Sequence, residues 1–135
     1  MTRTKLVLAA FVAAVVIAGI GYAMGGSGRY QLQSSIDETR ERLDVAEARG
    51  HLLEARVSLY NVNFGDASKH FEESKAPLRR VRDRFQRVGK NAAAGSISAA
   101  MAHVDEAQRL AGKLDQASNA KANDALEAIR VASSQ

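Results

Sequence analysis

Apolar residues return every three or four positions through most of this chain, and a single proline, Pro77, is all that interrupts them. Such spacing gathers side chains on one face of a helix, whereas a strand would need them at every second position. A chain patterned in this way folds into helices packed on one another and little else. Abundant Ala, Arg, Glu and Leu and the absence of tryptophan argue the same way, against a sandwich or barrel. With 135 residues there is room for one domain of ordinary size. The expected class is all-α: an N-terminal transmembrane helix followed by an antiparallel helical hairpin or bundle of about four helices.

Cysteine is absent, which excludes a disulfide framework, a thiolate metal site, a cysteine nucleophile and a cleaved lipoprotein anchor. The net charge is +4, but Arg3 and Lys5 supply two of those charges ahead of an apolar run, so the remainder is only mildly basic. That run, Leu6–Met24, is LVLAAFVAAVVIAGIGYAM and carries no charge. At about 1.5 Å per residue it spans roughly 28 Å, close to a bilayer's hydrocarbon core of about 30 Å. Arg3 and Lys5 precede it, and Tyr22 stands where an aromatic would anchor the far interface. Gly21-Tyr22-Ala23 offers a small-residue cleavage site, but the run exceeds the about 7–15 apolar residues of a signal peptide. A helix apolar all round is also out of place in the core of so small a chain. The chain is therefore divided into a cytoplasmic tail (1–5), an anchor (6–25), a flexible linker (26–29) and a helical domain (30–135). The positive tail puts the N-terminus in the cytoplasm and the helical domain outside it, a single-pass membrane location.

Within the helical domain, Ser35 and Glu38 have the spacing of a capping box. A heptad follows: Ile36, Leu43, Gly50, Val57 and Phe64 fall seven apart, with Ala46, Leu53 and Tyr60 between them. One long helix is expected over about residues 30–62, with the turn at 63–66. A second begins at Asp66 as cap, and Ala67, Phe71, Ser74, Leu78, Val81, Phe85 and Val88 form its stripe before Gly89 stops it. Pro77 lies inside the stripe without shifting its phase, so a kink near Lys75–Ala76 is expected rather than a break. A third helix, capped by Ser96 after a small-residue loop at 91–95, carries Ile97, Ala100, Val104, Ala107, Ala111 and Leu114. A short fourth, over about residues 120–132, offers Ala122, Leu126 and Ile129.

Phe64-Gly65-Asp66-Ala67 followed by Phe71, with Ser74 at a small-residue position, resembles the turn and second helix of a tetratricopeptide-repeat hairpin over about residues 44–77. In that family an aromatic, an alanine three residues on and a second aromatic four later lock one helix onto the other. The resemblance implies a helical-hairpin scaffold whose work is protein contact. The family's Leu-Gly and Tyr spacing is missing from the preceding helix, Pro77 comes early, and no period of about 34 residues recurs.

The three histidines each open an H-x-x-E: His51 with Glu54, His70 with Glu73 and His103 with Glu106. That spacing puts ring and carboxylate on one helix face. Di-iron bundles use the reverse order, Glu-x-x-His, turned into the core. Here each histidine falls beside the apolar seam, so the pairs are expected to face water and hold no metal. There is no H-E-x-x-H, no G-x-S-x-G and no phosphate-binding glycine loop, so neither catalytic residues nor a cofactor is expected. Positive charge concentrates at Arg79, Arg80, Arg82, Arg84, Arg87 and Lys90, around the stripe of the second helix. The arginine stems should cover that seam and pair with acids of the first helix. Phe85 among them belongs to the apolar stripe, so no stacking aromatics interleave the charges as single-stranded nucleic acid would need.

The leading expectation is a membrane-anchored, non-enzymatic scaffold that presents its first hairpin to another protein of the membrane or envelope, or to a second copy. Leu53, Val57, Tyr60, Phe64 and Phe71 would be its apolar contacts. A second reading docks Arg79–Lys90 on an acidic partner or anionic membrane. A third is a cleaved, exported helical protein that binds a ligand or a metal. Neither nucleic acid nor a small-molecule substrate is expected.

Overall fold

The computed structural model describes the backbone of residues 3–135 and the side chains of residues 14–18, 20–22 and 30–135. The described chain is helical, with α1 (Arg3–Tyr60), α2 (Phe64–Arg87), α3 (Asn91–Ala111) and α4 (Ala117–Ala132), and no strand occurs among the described residues. It separates into two compact units, residues 1–39 and residues 40–135.

The all-α class holds, but its transmembrane part does not. Among the described residues no helix is long and apolar enough to cross a membrane. The side chains of residues 1–13, 19 and 23–29 lie outside the described set, and the helix backbone of α1 runs on through the expected 26–29 linker. Among the described residues, then, the expected anchor over 6–25 is not supported. The single-pass location, with a cytoplasmic N-terminus and an extracytoplasmic domain, falls with it. In this first unit Tyr30, Leu32 and Ile36 are exposed. Ser35 is not a cap: α1 runs through it, and its hydroxyl donates to the Gln31 carbonyl one turn back, at 3.0 Å.

In the second unit the last part of α1 and the three following helices run antiparallel in succession. Contacts between α1 and α2 step down both helices in opposite directions, from Ser58–Asp66 at the turn to Asp44–Arg84 at the far end. Between α2 and α3 the same pattern joins Ser68 to Gln108 and Lys75 to Asp105. Asn63, not Asp66, caps α2: its side-chain oxygen accepts from the Asp66 amide at 3.1 Å. Gly89 closes α2 with φ +77, a conformation glycine adopts without a Cβ penalty. The segment 91–95, expected as a loop, is the first turn of α3, because its alanines are strong helix formers and Ala93 and Ala94 are buried.

The core is built from the stripes of α2, α3 and α4 nearly as the spacing predicts. Ala67, Phe71, Ser74, Leu78, Val81 and Phe85 are all buried, and Val88 lies exposed just past the helix end. On α3 the expected residues are buried through Ala111, while Leu114 is exposed in the following loop at φ 59. On α4, Ala122 and Ile129 are buried with Ala125 and Ala132, and Leu126 packs at the edge. α1 departs from expectation. Its inward residues are Ala48, Leu52, Ala55 and Leu59, beside the predicted heptad rather than on it. Both sets have four-and-three spacing; the buried one alternates alanine with leucine, which lets a neighbouring helix approach while two large side chains fill the space between.

Of the 21 buried apolar residues described, 11 are alanine, so the bulk of the core comes from a few large side chains. Phe71 and Phe85 are 0% and 1% exposed and are the largest of these. Phe71→Ala and Phe85→Ala should therefore each cost about 3–5 kcal/mol, read from circular dichroism melts. A melt like that of the wild type for either would refute this packing. Pro77 is buried in a helix that continues from Phe64 to Arg87. A proline in a helix interior costs about 3 kcal/mol, whereas losing its two extra buried carbons costs about 0.8 kcal/mol each. Pro77→Ala should thus raise the melting temperature by the equivalent of about 1 kcal/mol. A clear fall would show that the chain needs the proline to turn.

Candidate functional site

Beyond its inward face, α1 carries a second apolar stripe made of the predicted heptad: Leu43, Ala46, Gly50, Leu53, Val57 and Tyr60. It faces outward, with Leu43 63%, Leu53 50%, Val57 59% and Tyr60 70% exposed. Nothing lies within 4 Å of where a Cβ on Gly50 would be, so the stripe is open at its middle. Leu53, Val57 and Tyr60 are therefore on one surface. Phe64 and Phe71, expected to share it, belong to the core. The heptad count from Val57 to Phe64 crosses the interhelical turn, and phase is not kept across a turn. Beside Tyr60, Arg56 Nε donates to Asn119 Oδ1 of α4 at 2.9 Å. Hydrogen bonding from Asn119, then from Arg56, holds the Tyr60 phenol below its ordinary pKa.

The basic segment is largely turned to internal use. Asp44 is buried on α1 and accepts from Arg80 Nε at 2.8 Å and from an Arg84 guanidinium nitrogen at 3.1 Å. Arg80 also reaches Glu47 at 2.7 Å, and its pKa is raised, first of all by the hydrogen bond to Asp44. Arg82 pairs with Asp83, and the Lys90 ammonium lies 5.4 Å from the centre of the Phe85 ring, a cation–π contact. Arg79 and Arg87 are exposed.

A second polar seam joins α2 to α3. Lys75 Nζ donates to Gln108 Oε1 at 2.6 Å, Asp105 at 2.8 Å and Glu72 at 2.9 Å. Burial alone would lower the Lys75 pKa, but its hydrogen bonds to Asp105 and Glu72 outweigh burial and leave it raised. The Glu72 carboxyl is held below its ordinary value by Lys75 and then by Gln108. A depressed carboxyl contributes stability that is present above its unfolded pKa and lost as pH falls through the folded one. A raised ammonium contributes stability that is lost only as pH rises through its elevated value. The seam is thus whole at neutral pH and loosens in acid. Lys75→Met should destabilise the protein at neutral pH by on the order of 1 kcal/mol. The gap to wild type should narrow as pH falls below the carboxyl's ordinary 4.5. A gap that stays constant through that range in melts would rule the seam out.

Two of the three H-x-x-E pairs do not face water separately; the hairpin brings them together. His51 and Glu54 on α1 meet His70 and Glu73 on α2, with the rings stacked at 6.2 Å between centroids and 26° between planes. His51 Nδ1 lies 3.3 Å from Glu54 Oε2 and 3.4 Å from Glu73 Oε2. His70 Nδ1 lies 3.3 Å and 3.1 Å from the same two oxygens. Ligand atoms of His51, His70 and Glu73 all fall within 4.8 Å of one another. The third pair stays apart: Glu106 is taken by Arg109, whose Nε donates to it at 2.7 Å. The sequence carries one signal of the meeting. Two motifs of the same order flank a single turn, and antiparallel helices then set each histidine level with the other helix's glutamate.

Comparison of the chain with protein-family models, with curated proteins and with solved structures finds no match.

Proposed function

We propose that the chain is a helical interaction module, without a catalytic step of its own, that binds a helix of another protein or of a second copy. The observation that carries this reading is the outward heptad of α1, in which Leu43, Leu53, Val57 and Tyr60 are each at least half exposed. A helix needs one apolar face to join a bundle, and α1 already has one in Ala48, Leu52, Ala55 and Leu59. A second, solvent-facing stripe at heptad spacing suits knobs-into-holes contact with another helix. The resemblance of residues 44–77 to a tetratricopeptide hairpin, a scaffold for protein contact, points the same way.

The test is a Leu53→Glu/Val57→Glu double variant of the full chain. Both positions are outside the core, so its melting curve should stay within about 0.5 kcal/mol of wild type. Its association should be lost, read by sedimentation for copies of this chain and by crosslinking capture for another protein. Wild-type association in the folded double variant would sink the proposal.

A further inference from the structure

Four donor atoms converge beside the α1–α2 turn. His51 Nδ1 and His70 Nδ1 each approach both Glu54 Oε2 and Glu73 Oε2, and all four separations fall between 3.1 and 3.4 Å. Nitrogen and oxygen ligands on a tetrahedral ion, at bond lengths of about 2.0–2.1 Å, lie about 3.3–3.4 Å apart. From this geometry we infer that His51, His70 and Glu73, whose ligand atoms all lie within 4.8 Å of one another, form a binding site for a divalent transition-metal ion of the zinc class, with Glu54 Oε2 beside both imidazoles to complete it.

Three further observations support the assignment. Among the described residues, His51 Nδ1 is the one buried side-chain polar atom that makes no hydrogen bond. It sits within ion-pair distance of two carboxylate oxygens without the alignment to donate to either, so the fold itself leaves this nitrogen unused. Next, His70 turns its other nitrogen, Nε2, toward Asp66 Oδ2 at 3.7 Å. Asp66 is itself held by the Ser58 hydroxyl at 3.0 Å. At 3.7 Å this is an ion-pair approach and not a hydrogen bond; a small ring movement on metal binding would close it into the carboxylate contact that steadies a metal-binding imidazole. Finally, the nearby Lys69 ammonium stands 3.8 Å from Glu73 Oε1, the other oxygen of that carboxylate, and leaves Oε2 to the site.

Two imidazoles and two carboxylates suit Zn²⁺, Co²⁺, Ni²⁺ or Cu²⁺ better than Mg²⁺ or Ca²⁺, which take all-oxygen sets. The ligands come from both sides of one hairpin, so an ion there pins α1 to α2. Binding is then coupled to folding stability. The site uses none of the outward heptad, and its test is independent of partner association.

The experiment uses the full chain, stripped with a chelator and titrated with Zn²⁺ by calorimetry, then with Co²⁺ by visible absorption. One equivalent of Zn²⁺ should bind at micromolar concentration or tighter and raise the melting temperature. Co²⁺ should give the intense visible bands of tetrahedral coordination. Asp66→Asn should weaken Zn²⁺ by about 10–100-fold through loss of the supporting carboxylate. His51→Ala and Glu54→Gln should weaken it at least as much, while His103→Ala should bind as the wild type does. Glu54 is exposed, so its variant folds even if a histidine variant does not. Absence of saturable uptake at micromolar Zn²⁺ would overturn the assignment. So would octahedral Co²⁺ spectra, or unchanged affinity in folded Glu54→Gln and His51→Ala proteins.

Discussion

Burial of the α2 stripe against alanine-rich neighbours is the interaction on which the second unit depends. Phe71, Leu78, Val81 and Phe85 supply most of the large side chains of α2, while α3 and α4 contribute mainly alanine, with Ile97, Val104 and Ile129 among them. Alanine lets helix backbones approach closely and has the highest intrinsic helix propensity, so it strengthens the helices while adding little core volume. The few large residues then carry a disproportionate share of the burial energy. Such a core tolerates small adjustments poorly at its aromatic positions.

Polar contacts between α1 and α2 form a second layer of specification. Ser58–Asp66, the His–Glu quartet and the Asp44–Arg80–Arg84 group succeed one another from the turn to the far end of the hairpin. A nearly buried carboxylate such as Asp44 would be costly without its two arginines, and any rotation of α1 would strip them from it. These contacts and the Leu52 and Leu59 packing act together to select which face of α1 turns inward. The function proposed for the chain follows from that selection, because turning Ala48–Leu59 inward is what leaves Leu43, Leu53, Val57 and Tyr60 outside. The same antiparallel level-matching assembles the proposed metal site, so interaction surface and metal ligands are two results of one helical register.

The sequence by itself determined the all-α class, the positions of α2 and the α3 face, and the pairing of arginines of the basic run, Arg80 and Arg84, with an acid of the first helix. These were legible because each rests on one unambiguous periodic stripe or on a charge cluster flanking it, and local spacing is enough to define a helix face. Tertiary structure decided what local spacing left degenerate. α1 bears two stripes of equal period, and only packing against α2 distinguishes the inward Ala48–Leu59 set from the outward Leu43–Tyr60 set. The capping roles of Ser35 and Ser96 disappeared because helices that continue through them leave no free amides to cap. The anchor read from uncharged length did not survive, since no described helix is long and apolar enough to span a bilayer. His51 and His70 were readable as separate surface pairs, but their meeting depends on the height at which two antiparallel helices align. That height is set by contacts distant in sequence, which no spacing rule along a single helix contains.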